Sequence, residues 1–187
     1  MLKLVFLLEE PSMKNALDHL LPQILPPNVF FKLLPHEGKS DLKRSIPRKL
    51  QGWREPGVIF VIVLDKDKSD CHRLKQELVN IAEEYHRPDT LVRIVCQELE
   101  SWFLGDFDAL ERAYAVDLAS VRNKARYRNP DSLGDAKEEL KRIIPAYQQG
   151  SGSDRIAAQM KIVTNSSHSF HVFVSGVKTL CEKAGKP

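Results

Sequence analysis

The chain has 187 residues, 42% of them hydrophobic and 28% charged, with a formal net charge of +3. That length suits one α/β domain with an appendage, or one large domain, and the composition excludes disorder along the whole chain. The charge is too small to imply nucleic acid by itself, and no apolar run approaches the length of a membrane span. The opening MLKLVFLLEE is too short and too soon acidic for a signal peptide, so a cytoplasmic protein is expected. Cys71, Cys96 and Cys181 are odd in number and widely spaced, which indicates neither a disulfide framework nor a zinc knuckle.

Leu2 to Leu8 reads as a first strand, apolar apart from Lys3, and ends at Glu9-Glu10-Pro11-Ser12. Ser12 is placed to cap a helix through about Leu21, which Pro22, Pro26 and Pro27 are expected to close. Val29 to Leu34 is the second strand. The Gly38-Lys39-Ser40 that follows is not a nucleotide phosphate loop, because the glycine needed five residues earlier is Leu33. A glycine turn before a helix still offers amide hydrogens, Lys39 and Ser40 to a phosphate. The next helix, about Asp41 to Gln51, is basic, with Lys43, Arg44, Arg48 and Lys49, and reads as a solvated face or a nucleic-acid stripe.

Val58 to Leu64 is an unbroken apolar run, as in strands covered on both faces of a parallel sheet. It runs into Asp65-Lys66-Asp67-Lys68-Ser69-Asp70. In extended chain, Asp65 and Asp67 point the same way with Cα atoms roughly 6.5 Å apart, and can share a hard cation. The same stretch also suits a solvated turn with Ser69 or Asp70 capping a helix over about Asp70 to Tyr85. Thr90 to Cys96 is the fourth strand, followed by Gln97-Glu98-Leu99-Glu100-Ser101-Trp102. Glu98 and Glu100 form a third acidic strand end, or simply suit a helix N-terminus. Alternation of strand and helix predicts parallel strands joined by right-handed crossovers.

From about Asp106 the pattern turns to helices with polar links. Phe107 to Tyr114 is short and amphipathic. Val121 to Arg128 holds Arg122, Lys124, Arg126 and Arg128 around Tyr127, which suits phosphate and base contact or a surface helix. Asp135 to Ile144 is a further helix, Gly150-Ser151-Gly152-Ser153 reads as a flexible link, and a last helix carries Phe170, Phe173, Val174, Val177 and Leu180 on one stripe. His168 and His171 find no third metal ligand at a matching spacing.

Three acidic strand ends in one sheet concentrate negative charge at one edge, a costly arrangement that a cation would relieve. Magnesium, or manganese in its place, fits oxygen ligands of this kind, and no Cys/His set competes for a softer metal.

A strand ending in glutamate with Ser12 three residues on, then a hydrophobic strand ending in Asp-x-Asp, resembles the Toprim domain. That module catalyses in type IA and type II topoisomerases, DnaG-type primases and the overcoming-lysogenization-defect nucleases. More closely, LLEEPS, GKSDL, VLDKDKSDC, QELESWFLGD and KARYRNPD resemble a family of uncharacterised bacterial proteins with a Toprim-like core, over most of the chain. The resemblance implies a Toprim-like three-layer α/β/α domain over residues 1–105, with a mostly parallel four-stranded sheet. Residues 106–187 would be a helical C-terminal extension packed on it.

The resemblance also makes Glu9 the general acid/base and Asp65 and Asp67 the metal pair; Glu98 and Glu100, at the third acidic strand end, are further metal candidates read from the residues themselves. The family pattern has glycine after the glutamate where this chain has Glu10, so Glu10 is a second candidate for the catalytic role. For Glu9 to reach the aspartates, strands one and three must lie close in the sheet. Lys39, Ser40, Arg122, Lys124, Arg126 and Arg128 are expected to offer nucleic-acid phosphates a cationic approach on the acidic face. The activity implied is magnesium-dependent phosphodiester hydrolysis of nucleic acid in bacterial defence or mobile-element conflict. Related nucleases work with an ATPase, which here would be a separate protein because the chain has no complete phosphate loop. The alternatives are a non-catalytic nucleic-acid- or partner-binding module on the same fold and, less well matched, a phosphoacceptor receiver domain.

Overall fold

A computed structural model describes residues 2–67 and 69–185. Lys68, inside the acidic stretch after the third strand, lies outside the described residues. Strands β1 (Lys3–Leu8), β2 (Phe30–Pro35), β3 (Val58–Asp65) and β4 (Leu91–Val95) form one all-parallel sheet in the order β2-β1-β3-β4. Helices α1 (Pro11–Ile24), α2 (Lys39–Gly52) and α3 (Cys71–Glu84) are the crossovers. Their period-2 neighbours in the strands explain the unbroken apolar runs. Leu4, Phe6, Leu8, Val61 and Val63 face α1, whereas Val5, Leu7, Phe60, Ile62 and Leu64 face α2 and α3. Each central strand is therefore covered on both sides, giving the three-layer α/β/α architecture that the sequence led us to expect.

After β4 the chain is helical: α4 (Glu100–Leu104), α5 (Phe107–Tyr114), α6 (Ala119–Arg122), two 3-10 turns (Ala125–Tyr127 and Pro130–Ser132), α7 (Ala136–Ile143), α8 (Gln149–Ala157) and α9 (His168–Ala184). These elements share one core with α1 and its face of the sheet, through Trp102, Phe103, Leu140, Ile156, Phe170, Phe173 and Val177. Trp102 is fully buried, with Phe170 and Phe173 at centroid distances of 5.2 and 5.0 Å. Ser169 joins the layers, its Oγ accepting from the Cys96 N–H at 2.9 Å and the Trp102 Nε1–H at 3.3 Å. Among the described residues no helix is long and apolar enough to cross a membrane.

Several local expectations are corrected. Pro22 does not end α1, which continues to Ile24 because Leu20, Leu21 and Ile24 are buried and offset the missing backbone bond. The cap of α1 is Glu10 with Pro11 at the first position, not Ser12. Asp70 caps α3, accepting from the Arg73 N–H at 2.8 Å. Residues 150–153 are not a link but part of α8, which packs on α1. A Cβ on Gly152 would lie 2.5 Å from the Tyr147 ring, so glycine there leaves room for that side chain. The stretch Val121 to Arg128 is not one helix; it divides into α6 and a 3-10 turn.

Trp102→Ala should remove the centre of the shared core at a cost of about 3–5 kcal/mol. Urea unfolding followed by circular dichroism checks this, and Trp102→Phe should lose clearly less.

Candidate functional site

The strand order places the carboxyl ends of β1 and β3 side by side, where the crossovers leave for opposite faces of the sheet. In open α/β sheets that switch point is where ligands gather. The register pairs Leu8 with Val63, so Glu9 and Asp65 emerge together. Glu9 is 8% exposed, and its Oε2 accepts the Asp65 N–H at 3.0 Å. Gly38, at φ 94°, caps α2 and donates its N–H to the Glu9 carbonyl at 2.9 Å, which pins the third strand end to the other two.

Asp65 sits at the centre. Its Oδ2 accepts the Leu99 N–H at 3.3 Å, but its Oδ1 is buried and has no hydrogen-bond partner among the described residues. Burial, and then the charges of Glu9 and Glu100, push its carboxyl well above the usual range. Burial also raises the Glu9 carboxyl, opposed by the Asp65 N–H and by Lys39. Glu100 is fully buried on α4; burial raises it too, against the hydrogen bond from Tyr147. Its Oε1 accepts the Tyr147 hydroxyl at 2.8 Å, while its Oε2 is a second buried oxygen without a partner among the described residues.

Asp67 is half exposed and forms an ion pair with Lys39 at 2.5 Å. Its φ is 49°, and its N–H donates to the carbonyl of Gln97, itself at φ 64°, at 3.1 Å. Two left-handed non-glycine residues facing each other across strand ends are the kind of local strain that concentrates at working sites.

The other acidic residues are drawn off. Glu10 accepts from Gln149 Nε2 at 2.6 Å and from the Ser12 hydroxyl at 3.3 Å. Glu98 accepts the Lys137 N–H at 2.9 Å, at the start of α7. Among the described residues no three His, Cys, Asp or Glu side chains are already disposed around one point as a metal would need. The six acidic candidates thus separate into Glu9, Asp65, Asp67 and Glu100 around the strand ends, and Glu10 and Glu98 held by the helical part.

Of the basic candidates, Lys39 touches this edge, with the exposed Ser40 beside it. Arg122 pairs with Asp108 at 2.5 Å and Glu111 at 3.3 Å, and Arg126 pairs with Glu139 at 2.7 Å. Lys124 and Arg128 are exposed. Tyr127 is no stacking platform: it is buried against Phe107, with its hydroxyl on Glu139. His171 Nε2 is engaged by the Asn165 carbonyl at 2.6 Å. Tyr147, Gln149 and the Lys137 amide had no sequence signal. Each is a single ordinary residue, about 40 to 140 positions from its carboxylate.

The donor set suits a hard dication. Two buried carboxylate oxygens lack partners, and the neighbouring carboxyls push one another toward neutrality. Only a proton or a cation relieves that, and magnesium asks for one or two carboxylates while keeping its waters.

These shifts set a pH dependence. Between about pH 4, where unfolded carboxyls titrate, and the raised folded values, the folded protein binds more protons than the unfolded chain. Its stability therefore falls as pH rises through that window. In chelator-containing buffer, melting temperature should fall from about pH 5 to pH 7 more steeply for wild type than for Asp65→Asn, a comparison in which the six histidines cancel.

The profile of a family described as a domain of unknown function (DUF4276) matches residues 8–178. Neither a curated protein nor a solved structure matches the chain.

Proposed function

The chain belongs to the DUF4276 family, and we propose that it is a magnesium-dependent phosphodiester-cleaving enzyme acting on nucleic acid, with a Toprim-like site at the ends of β1 and β3. The observation that carries this reading is the Asp65 carboxylate, buried beside Glu9 and in the field of Glu100, with Oδ1 unpartnered among the described residues. A purely structural buried aspartate would have its oxygens satisfied, as Asp106 does with the Ala109 and Lys161 amides.

Asp65 and Asp67 would hold the cation, with Glu9 alongside. Bound there, a dication supplies charge stabilisation to the phosphate oxygens in the transition state. Glu9 is the general acid/base: its carboxyl, raised by burial, keeps a proton nearer neutral pH than an exposed glutamate does. In hydrolysis water adds to phosphorus, the P–O ester bond breaks, and Glu9 handles the proton passing between water and the leaving oxygen. Glu10 suits that role less well, since its Oε2 is engaged by Gln149. Lys39, released from Asp67 when a cation arrives, would turn its ammonium to a phosphate oxygen, beside the Ser40 hydroxyl. Any ATP-driven step would come from a separate ATPase partner.

Magnesium at a hundredfold excess over its Kd should stabilise the wild type by about 2.7 kcal/mol, or roughly 5–10 °C in melting temperature. Asp65→Asn and Asp67→Asn should respond much less and should lose metal-dependent cleavage of single- and double-stranded DNA and RNA, with Asp65→Asn no less stable than wild type in chelator. Magnesium stabilisation without cleavage by the wild type would make the chain a non-catalytic binding module; equal shifts in all three proteins would place the cation elsewhere.

A further inference from the structure

Away from the acidic edge, a groove of about 530 Å³ runs between β4 and α9, lined by Leu91, Arg93, His168, Ser175, Thr179 and Lys183 among others, and by no carboxylate among the described residues. Arg93 forms its floor. The Arg93 Nη1 donates to the Val92 carbonyl at 3.1 Å, but its Nε is buried with no partner, and among the described residues no acidic side chain pairs with it. An arginine cannot shed its charge at any ordinary pH, so a part-buried guanidinium without a counterion is costly unless an anion joins it.

The helix opposite is built around that guanidinium. A Cβ on Gly176 would lie 2.0 Å from Arg93 Nη2 and 2.3 Å from Nε, so any larger residue would push the guanidinium off its present place against α9. Glycine is the poorest non-proline residue for a helix interior, and the close approach explains its presence there. On either side of it, His171, Ser175, Thr179 and Lys183 recur every four residues, setting polar side chains in line along one helix face.

We propose that this groove is a phosphate-binding site, with the Arg93 fork and Lys183 as its cations and the Ser175 and Thr179 hydroxyls as neutral donors. A planar fork together with hydroxyls and an ammonium matches the several oxygens of a phosphate better than the two of a carboxylate. The phosphate can belong to a small phosphate monoester or to a nucleic-acid strand. The site stands apart from the acidic edge and from the reading given for it.

The test is a titration of the full-length ¹⁵N-labelled protein with inorganic phosphate, with sodium acetate as control, and with a short single-stranded oligonucleotide, at constant ionic strength. Phosphate should shift the Arg93 Nε–H and Gly176 amide resonances saturably, and acetate should not. Arg93→Ala and Lys183→Glu should each weaken binding about tenfold or more. Lys183 is exposed, so the second variant remains informative if the first fails to fold. An oligonucleotide that shifts the same resonances at lower concentration than phosphate identifies a nucleic-acid strand as the source. Phosphate acting alone identifies a small monoester. The proposal is overturned by no saturable shift at those two groups, by an equal response to acetate, or by a Lys183→Glu variant that binds like wild type. Asp65→Asn should bind phosphate unchanged, so failure here is distinct from failure of cleavage.

Discussion

The Asp65 carboxylate is the constraint around which the rest of the site is arranged. The fold carries it to the end of a fully buried strand, beside Glu9 and within reach of the field of Glu100, and leaves Oδ1 without a donor. Such a group is paid for elsewhere, here by the apolar strands on either side, whose buried side chains each contribute about 1.5–3 kcal/mol. A sheet in which β1 and β3 were not neighbours would hold the same residues and have no site. The adjacency follows from crossovers of one hand leaving β1 and β2 for opposite faces, so handedness and hydrophobic burial together create the acidic edge.

The helical part after β4 divides the strand-end carboxylates into two kinds. Gln149 takes Glu10, the Lys137 amide takes Glu98, and Tyr147 takes one oxygen of Glu100. Helices α7 and α8 and the loop between them thus reach back to the edge and engage carboxylates with neutral donors. Glu9, Asp65 and Asp67 receive nothing from them. They are held by the Asp65 and Leu99 amides and by Lys39. The residues left unsatisfied by the extension are the ones whose chemistry a dication would complete. The extension can do this only because it is rooted in the same core, through Trp102 and Ser169.

Much of this was legible in the sequence, for physical reasons that also mark where legibility ends. Val58–Leu64 could only be a strand covered on both faces, and strand–helix alternation left little choice but a parallel sheet. The gathering of Glu9, Asp65 and Asp67 at one edge was legible because they lie at or just past the ends of such strands. The fates of Glu10 and Glu98 were not, since their partners lie on helices that no local pattern ties to the edge. Pro22 and the Gly150–Ser153 stretch misled because their usual local meaning was overridden by tertiary packing: a buried stripe carries α1 past its proline, and Gly152 in α8 leaves room for the Tyr147 side chain. Tyr127 misled in the same way, an aromatic among arginines that the core takes for itself.

Lys39 shows how the edge persists before any ligand reaches it. Its ammonium lies on Asp67 and lowers the cost of ionising Glu9, so one side chain acts as counterion to two strand ends. Its stem leaves the first turn of α2, whose start Gly38 fixes to the Glu9 backbone, so the charge is delivered by the same contact that sets the strand ends together. Asp67 is half exposed and Lys39 less so, which makes their pair a screened, weak one that a dication would outcompete at little cost. Asp65 has no such substitute. An edge built this way is stable enough to fold with a monovalent charge lying across its rim, yet keeps its innermost carboxylate short of a partner.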